Sequence, residues 1–138
     1  MTQVVVITGA SAGVGRAVTA AYAARGARLA LIARGRAGLE GASLEARALG
    51  AAEVRTYQVD VSDAEAVQRT ADDVAATWGG IDVWINDAMV SVFAPAWEIT
   101  PEEYRRVTEV NFLGTVYGTL AALKHMRRAE HGSVVQIG

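Results

Sequence analysis

Residues 8–15 read T-G-A-S-A-G-V-G and lie between an apolar run, Val4 to Ile7, and a segment with the pattern of a helix. Glycine lacks a Cβ atom, so the chain can turn sharply here and its backbone can approach a ligand closely. A strand that leads through such a turn into a helix offers a phosphate free N–H groups and the positive end of the helix dipole. The stretch therefore predicts a phosphate-binding turn after a first buried strand.

Apolar runs alternate with helical patterns along the rest of the chain. The predicted strands are 4–7, 28–33, 54–59, 83–86 and 133–137, and the predicted helices are about 12–25, about 36–49, 63–78 and 101–126. Strict alternation indicates an α/β fold with parallel strands, right-handed crossovers and helices on both faces of the sheet. The strands are nearly all apolar, as buried parallel strands should be. We find no repeat or linker that would mark a second domain.

Two helix starts carry capping signals. Ser62 followed by Glu65 has the spacing of a capping box, and Thr100-Pro101-Glu102-Glu103 adds a proline at the first helical position. We expect the third helix to be capped by Ser62 and the fourth by Thr100.

Composition excludes several classes of function. The 138 residues include 13 basic and 15 acidic side chains, a net charge of −2, which offers no electrostatic footprint for nucleic acid or an anionic membrane. The absence of cysteine excludes disulfides, a thiolate nucleophile and Cys-type metal sites, and no metal site is expected. No apolar run approaches membrane-spanning length, and the first strand leaves no room for a signal peptide. We therefore expect a cytoplasmic protein.

The glycine-rich stretch also fits the nucleophile elbow of serine hydrolases. Residues 9–13 match G-x-S-x-G with Ser11 as nucleophile. The elbow normally follows the strands and loop that build an oxyanion hole, whereas here it begins at residue 9, after the first predicted strand alone. The only possible bases, His125 and His131, lie in a basic helix end, where solvated positions are expected. A hydrolase using Ser11 is therefore a remote alternative.

Four motifs in order resemble the classical short-chain dehydrogenase/reductase family. They are T-G-A-S-A-G-V-G, then Asp60-Val61-Ser62 after the third strand, Asn86-Asp87-Ala88-Met89 after the fourth, and Asn111 in the fourth helix. The resemblance covers the whole chain. It implies a doubly wound, Rossmann-like sheet with strand order 3-2-1-4-5 and four helices. It also implies NAD or NADP as cofactor, and hydride transfer that reduces carbonyls or oxidises alcohols.

The resemblance also implies the residues that contact the cofactor. Asp60 would accept a hydrogen bond from the adenine amino group, with Val61 against the ring. Thr8 is expected to act as a structural hydrogen-bonding residue at the strand end. The residues of the glycine-rich turn would lie under the adenosine and pyrophosphate: Gly9, Ser11, Gly13, Val14 and Gly15. Gly15 would also allow close packing of the helix.

The end of the second strand predicts which cofactor is bound. A carboxylate about 20 residues past the glycines would bind the ribose 2′-OH of NAD, whereas an arginine offers a charge-assisted fork to the 2′-phosphate of NADP. The sequence there is Ala33-Arg34-Gly35-Arg36, with no acid. We therefore predict NADP (NADPH), with Arg34 as the main contact.

The motif after the fourth strand departs from the family's N-N-A-G. Asp87 replaces the second asparagine and adds a negative charge near an anionic cofactor, while Met89 replaces glycine. Asn86 and Ala88 still match and are kept as cofactor contacts. Asn111 lies within a predicted inward stripe of the fourth helix that includes Tyr104, Val107, Gly114 and Tyr117. The resemblance implies that Asn111 helps to arrange a proton relay through water, which makes it the candidate catalytic residue.

The 138 residues contain no tyrosine followed four residues later by lysine, the pair on which the family's acid/base chemistry depends. We expect a single NADP-binding domain, residues 1–138, that is truncated after the fifth strand. By itself this domain is expected to bind the cofactor but not to turn over a substrate. The alternative is a non-catalytic nucleotide-binding module or shortened homologue. The fifth strand would be an apolar open edge, so a homo-oligomer is expected. The expected substrate of a complete enzyme is a small-molecule carbonyl or alcohol.

Overall fold

A parallel five-stranded sheet forms the centre of the computed structural model, which describes residues 2–138. The strands are β1 (Val4–Thr8), β2 (Arg28–Ala33), β3 (Glu53–Gln58), β4 (Val83–Asn86) and β5 (Ser133–Gln136). Their order is β3-β2-β1-β4-β5, and every neighbouring pair is parallel. The doubly wound sheet with order 3-2-1-4-5 is therefore confirmed.

Four helices connect the strands, as the alternation of patterns predicts. They are α1 (Gly13–Ala23), α2 (Arg36–Leu49), α3 (Ala64–Trp78) and a long α4 over 101–129. Helix α4 has an α-helical start (Pro101–Val107), a π-helical middle (Thr108–Leu113) and an α-helical remainder (Gly114–Ala129). A short 3-10 turn, Ala96–Glu98, precedes it. Within residues 2–138, no helix is both long and apolar enough to cross a bilayer.

Alternation of side chains along the central strands produces two cores. Val5 and Ile7 of β1 pack in the cluster on the α1 and α2 side, whereas Val4 and Val6 pack in the cluster that includes residues of α3 and α4. Every residue of β1 is buried. Helices therefore cover both faces of the sheet, as a buried parallel sheet requires.

The outer strands are less buried than the prediction of nearly all apolar strands implies. In β3 only Val54 is buried, and in β5 Val135 is 40% exposed. Both strands lie at edges of the sheet, where each has one neighbour and less cover from helices. The prediction of burial holds for β1, β2 and β4 and is wrong for β3, whereas the exposure of β5 agrees with its predicted open edge.

One of the two predicted caps is confirmed and the other is wrong. Thr100 accepts from the Glu103 N–H at 3.2 Å while Glu103 accepts from the Thr100 N–H at 2.9 Å, a complete capping box. At α3 the cap is Asp63, whose carboxylate accepts from the Ala66 N–H at 3.0 Å. Ser62 lies one position before the cap, and its hydroxyl donates to Asp60.

The π-helical middle of α4 changes which residues face the sheet. A π turn bonds residue i to i+5 and so adds a residue to the turn, which shifts the phase of a 3.6-residue stripe. Tyr104, predicted to face inward, is 50% exposed, whereas Val110 is buried. The predicted stripe is therefore wrong before the π segment, although Gly114 in the later part is buried.

Candidate functional site

A cleft of about 440 Å³ opens at the carboxyl ends of the strands. It lies where the loops after β1 and β4 meet, next to the end of β2. The strand order reverses between β1 and β4, because β2 and β3 lie on one side of β1 whereas β4 and β5 lie on the other. Open α/β sheets bind ligands at such switch points. The volume is within the range of small-molecule and cofactor sites.

Most of the residues predicted to contact a cofactor come together around this cleft. Asn86, Gly15 and Asn111 are not among the residues that line it. The predicted residues that do line it are Gly9, Ser11, Gly13, Val14, Arg34, Asp60, Val61 and Ala88.

The glycine turn has the shape of a backbone cradle. Gly9 has φ +65° and a Cβ atom there would lie 2.9 Å from the Ala88 nitrogen, so the loops after β1 and β4 approach each other as only glycine permits. Gly13 has φ +54° and no atom within 4 Å of its Cβ position, so its backbone faces open space at the start of α1. Free N–H groups in such a position fit the phosphates of a dinucleotide.

Gly15 lies behind this cradle instead of lining the cleft. A Cβ atom on Gly15 would collide with the Gly9 carbonyl oxygen and would lie 2.6 Å from Asp87 Oδ2. This contact agrees with the prediction that Gly15 permits close packing of the helix. It also brings the Asp87 carboxylate next to the amino end of α1.

Arg34 and Arg36 have different surroundings, although the sequence offers both as candidates. Arg34 follows β2 and lines the cleft, and within residues 2–138 its guanidinium makes no hydrogen bond or ion pair. Arg36 points elsewhere, because its Nε donates to Glu40 Oε1 at 2.9 Å. The free cation at the cleft is therefore that of Arg34.

Asp60 is held by a network that sequence reasoning missed. Its Oδ1 accepts from the Ser62 N–H at 3.0 Å and from the Ser62 hydroxyl at 2.7 Å. Its Oδ2 accepts from Arg106 Nη2 at 2.8 Å, and Arg106 Nη1 also donates to the Ser62 hydroxyl at 3.1 Å. Burial acts to raise the pKa of Asp60, but the hydrogen bonds from Ser62 and Arg106 outweigh it and hold that pKa below its ordinary value.

Arg106 lines the cleft together with Asp60, from the first segment of α4. The two residues are 46 positions apart, so no local pattern in the sequence pairs them. The available signal in the sequence is spacing: Arg106 precedes Val110 by about one helical turn, so the two side chains share a face of α4. Val110 is buried and also lines the cleft.

Thr8 ties the end of β1 to the loop after β4. Its side chain is 2% exposed, and its hydroxyl oxygen accepts from the N–H groups of Asp87 and Ala88, both at 3.0 Å. The predicted structural role of Thr8 is confirmed.

Asp87 places a carboxylate in the wall of the cleft. Burial raises the pKa of this group, and the Gly15 N–H opposes the rise by donating to it. The carboxylate thus competes with an anionic ligand for the positive amino end of α1.

Asn86 and Asn111 act on the scaffold around the cleft. The Asn86 Oδ1 accepts from Trp84 Nε1 at 2.9 Å and its Nδ2 donates to Thr119 at 3.2 Å, so this 5% exposed side chain lies between β4 and α4. The Asn111 amide bonds both backbone groups of Val90, accepting from its N–H and donating to its carbonyl, each at 2.9 Å. Asn111 therefore holds the loop that forms one wall of the cleft.

The structure gives Ser11 no histidine as a general base. Within residues 2–138 both histidines bond to aspartates, with His125 Nε2 2.8 Å from Asp72 and His131 Nε2 2.6 Å from Asp82. Asp82 and His131 precede β4 and β5, at the opposite end of the sheet from the glycine turn. The described residues also contain no group of three or more His, Cys, Asp or Glu suited to a metal.

Comparison with known proteins agrees with this architecture. The family model described as short chain dehydrogenase matches residues 3–138. The uncharacterized oxidoreductase YxnA of Bacillus subtilis is 37% identical over 137 residues, covering 99% of this chain and 38% of YxnA. The D-threitol dehydrogenase of Mycolicibacterium smegmatis is also 37% identical over 137 residues, covering 98% of this chain and 52% of that enzyme. The chain thus spans about half the length of these relatives or less.

Solved structures of similar proteins include complexes with each nicotinamide cofactor. An NAD⁺-bound xylitol dehydrogenase superposes with a TM-score of 0.92 at 32% identity, covering 97% of this chain and 52% of the other. A metagenomic short-chain oxidoreductase in complex with NADP has a TM-score of 0.91 at 32% identity, covering 99% and 61%. With the family model spanning nearly all of it, the chain belongs to the short-chain dehydrogenase family of oxidoreductases.

Proposed function

We propose that this chain forms the cofactor-binding domain, residues 1–138, of an NADP-dependent oxidoreductase that reduces carbonyls or oxidises alcohols. The observation that carries the choice of cofactor is the unpaired guanidinium of Arg34 at the cleft, where residues 34–36 directly after β2 include no acid. An arginine in this position can bind a 2′-phosphate through charge-assisted hydrogen bonds, whereas a carboxylate would bind the 2′-OH of NAD.

The remaining contacts follow from the order of groups around the cleft. The pyrophosphate would lie on the backbone of Gly9, Ser11 and Gly13, and the adenine would lie between Asp60 and Val61. Val14 and Ala88 would line the path between the two ends of the dinucleotide. When bound, the nicotinamide supplies or accepts the hydride.

The two asparagines would support this site from behind its walls. Asn86 fixes the end of β4 through Trp84 and Thr119. Asn111, in the π-helical segment of α4, holds Val90 on the loop beside the cleft, and this contact with the wall of the cleft supports a role in arranging a proton relay.

The domain alone would bind the cofactor without turning over a substrate. The 138 residues contain no tyrosine with a lysine four residues later, and the relatives extend well beyond the matched part. Binding without oxidation of NADPH in the presence of aldehydes is therefore expected of this polypeptide. We also propose that it self-associates, because Val135 on the edge strand β5 and Phe112 and Leu120 on α4 are exposed apolar side chains.

The test is a fluorescence titration with NADPH and NADH of the wild type and of two variants with the same change of charge, Arg34→Asp and Arg36→Asp. The wild type should bind NADPH more tightly than NADH. R34D should weaken NADPH binding roughly 10- to 100-fold, the range expected for hydrogen bonds to a charged group, and should leave NADH binding nearly unchanged. R36D should keep the wild-type preference because Arg36 pairs with Glu40. An unchanged ratio in R34D would refute the assignment of NADP.

A further inference from the structure

The carboxylate of Asp60 has one free acceptor position, and the network around it determines where that position points. A carboxylate offers about four acceptor positions, two on each oxygen. The N–H and hydroxyl of Ser62 fill both positions on Oδ1, at 3.0 and 2.7 Å. Arg106 Nη2 fills one on Oδ2 at 2.8 Å. The remaining position is therefore on Oδ2, beside the guanidinium.

Arg106 is the member of this network that controls Oδ2. Ser62 is two residues from Asp60 and bonds only to Oδ1, so it makes no hydrogen bond to Oδ2. Arg106 reaches across from α4 and joins both partners, because its Nη1 also donates to the Ser62 hydroxyl at 3.1 Å. Its side chain is 32% exposed and that of Asp60 is 34% exposed, so both remain accessible at the wall of the cleft.

The arrangement distinguishes between ligand groups by their hydrogen-bonding character. An ionised carboxylate accepts and cannot donate, so its free position can take the amino group of adenine but leaves a 6-oxo group without a partner. Sites built to hydrogen-bond one polar group reject an analogue that lacks it, because a polar group of the site is then left unpaired.

We propose that Arg106 is a positioning residue that fixes the free acceptor of Asp60 toward the amino group of the cofactor's base, and so sets the preference for an adenine over a 6-oxopurine dinucleotide. The inference rests on the proposed function, since it requires that the base lie against Asp60. It assigns to α4 a role in base recognition, distinct from the role of Arg34 in recognising the phosphate.

The test compares the Kd of NADPH with that of reduced nicotinamide hypoxanthine dinucleotide phosphate, in which a 6-oxo group replaces the amino group. The variants are Arg106→Gln, Arg106→Lys and the neighbouring control Arg105→Gln, since Arg105 is exposed and does not line the cleft. The wild type and R105Q should prefer NADPH by about 10-fold or more. R106Q should reduce this ratio at least about fivefold, mainly through weaker NADPH binding, and R106K should restore part of it because an ammonium group can still donate to Oδ2.

A general structural role of Arg106 would weaken the binding of both dinucleotides by the same factor. An unchanged ratio in R106Q, with NADPH still bound, would overturn this inference and leave the proposed function intact. Failure of the wild type to bind NADPH at all would overturn both. Circular dichroism of each variant separates loss of binding from loss of the fold, and R106K supplies the comparison if R106Q is unfolded.

Discussion

Replacing Thr8 with valine tests how strongly the loop after β4 is tied to the sheet. The substitution keeps the shape of the buried side chain but removes the oxygen that accepts from the N–H groups of Asp87 and Ala88. An unsatisfied buried donor costs about 1–3 kcal/mol. Both donors belong to half-buried residues, so the lower part of the range applies and the pair should cost about 2–4 kcal/mol. This is a large part of the 5–15 kcal/mol, roughly, that stabilises an ordinary domain.

Urea denaturation followed by tryptophan fluorescence measures this cost, because Trp84 is fully buried. With a slope of about 1.5 kcal/mol per M, the midpoint of T8V should fall by roughly 1.3–2.7 M. Thr8→Ser is the matched control: it keeps both hydrogen bonds and loses one methyl group, at a cost of about 1 kcal/mol. A T8V variant as stable as T8S, about 1 kcal/mol below the wild type, would refute the reasoning, since the two hydrogen bonds would then contribute less than the expected range of about 2–4 kcal/mol.

Two carboxylates give further predictions. Asp87→Asn should tighten NADPH binding at neutral pH by roughly 3- to 10-fold because it removes a negative charge beside an anionic ligand. In the wild type the affinity should rise as pH is lowered, since burial raises the pKa of Asp87 and the protonated group is neutral, whereas titrations of D87N should show no such rise. Asp72→Asn should lower the urea midpoint at neutral pH, because hydrogen bonds from Lys124, and also from His125, hold the pKa of Asp72 at about 2. The stability that ionised Asp72 contributes is fully present above its ordinary pKa of 3.8 and is lost as pH falls through about 2. The urea midpoints of D72N and wild type should therefore converge at about pH 2.

The elements of the fold could be predicted because their signals are local. Apolar runs and helical spacing identified all five strands and four helices, and the capping box at Thr100 formed as its spacing indicates. The cap of α3 could not be chosen this way, since Ser62 and Asp63 are both good caps. In the structure Asp63 is the cap, while Ser62 bonds to Asp60 and Arg106 in the network at the cleft.

At the site, contacts between distant parts of the chain could not be predicted from the sequence. The pair of Arg106 and Asp60 forms only once α4 has packed beside the loop after β3. The position of Asn86 was open to a local argument: it is two residues from Trp84, and side chains at that spacing share a face of the strand. Matching a motif identifies which residue is present, but the alternation of the strand decides where its side chain points.

The bond between Asn111 and Val90 gives the cleft an unusual mechanical connection. The side-chain amide of asparagine has the same donor and acceptor as a peptide group, so α4 supplies Val90 with the partner that a neighbouring strand would otherwise provide. At Val90 the loop is thereby attached to the π-helical segment of α4, while Thr8 attaches the first residues of the same loop to the sheet. Phe112, the next residue, is 63% exposed on the outside of the molecule. Asn111 therefore joins the wall of the cleft at Val90 to a segment of α4 whose next side chain, that of Phe112, faces solvent.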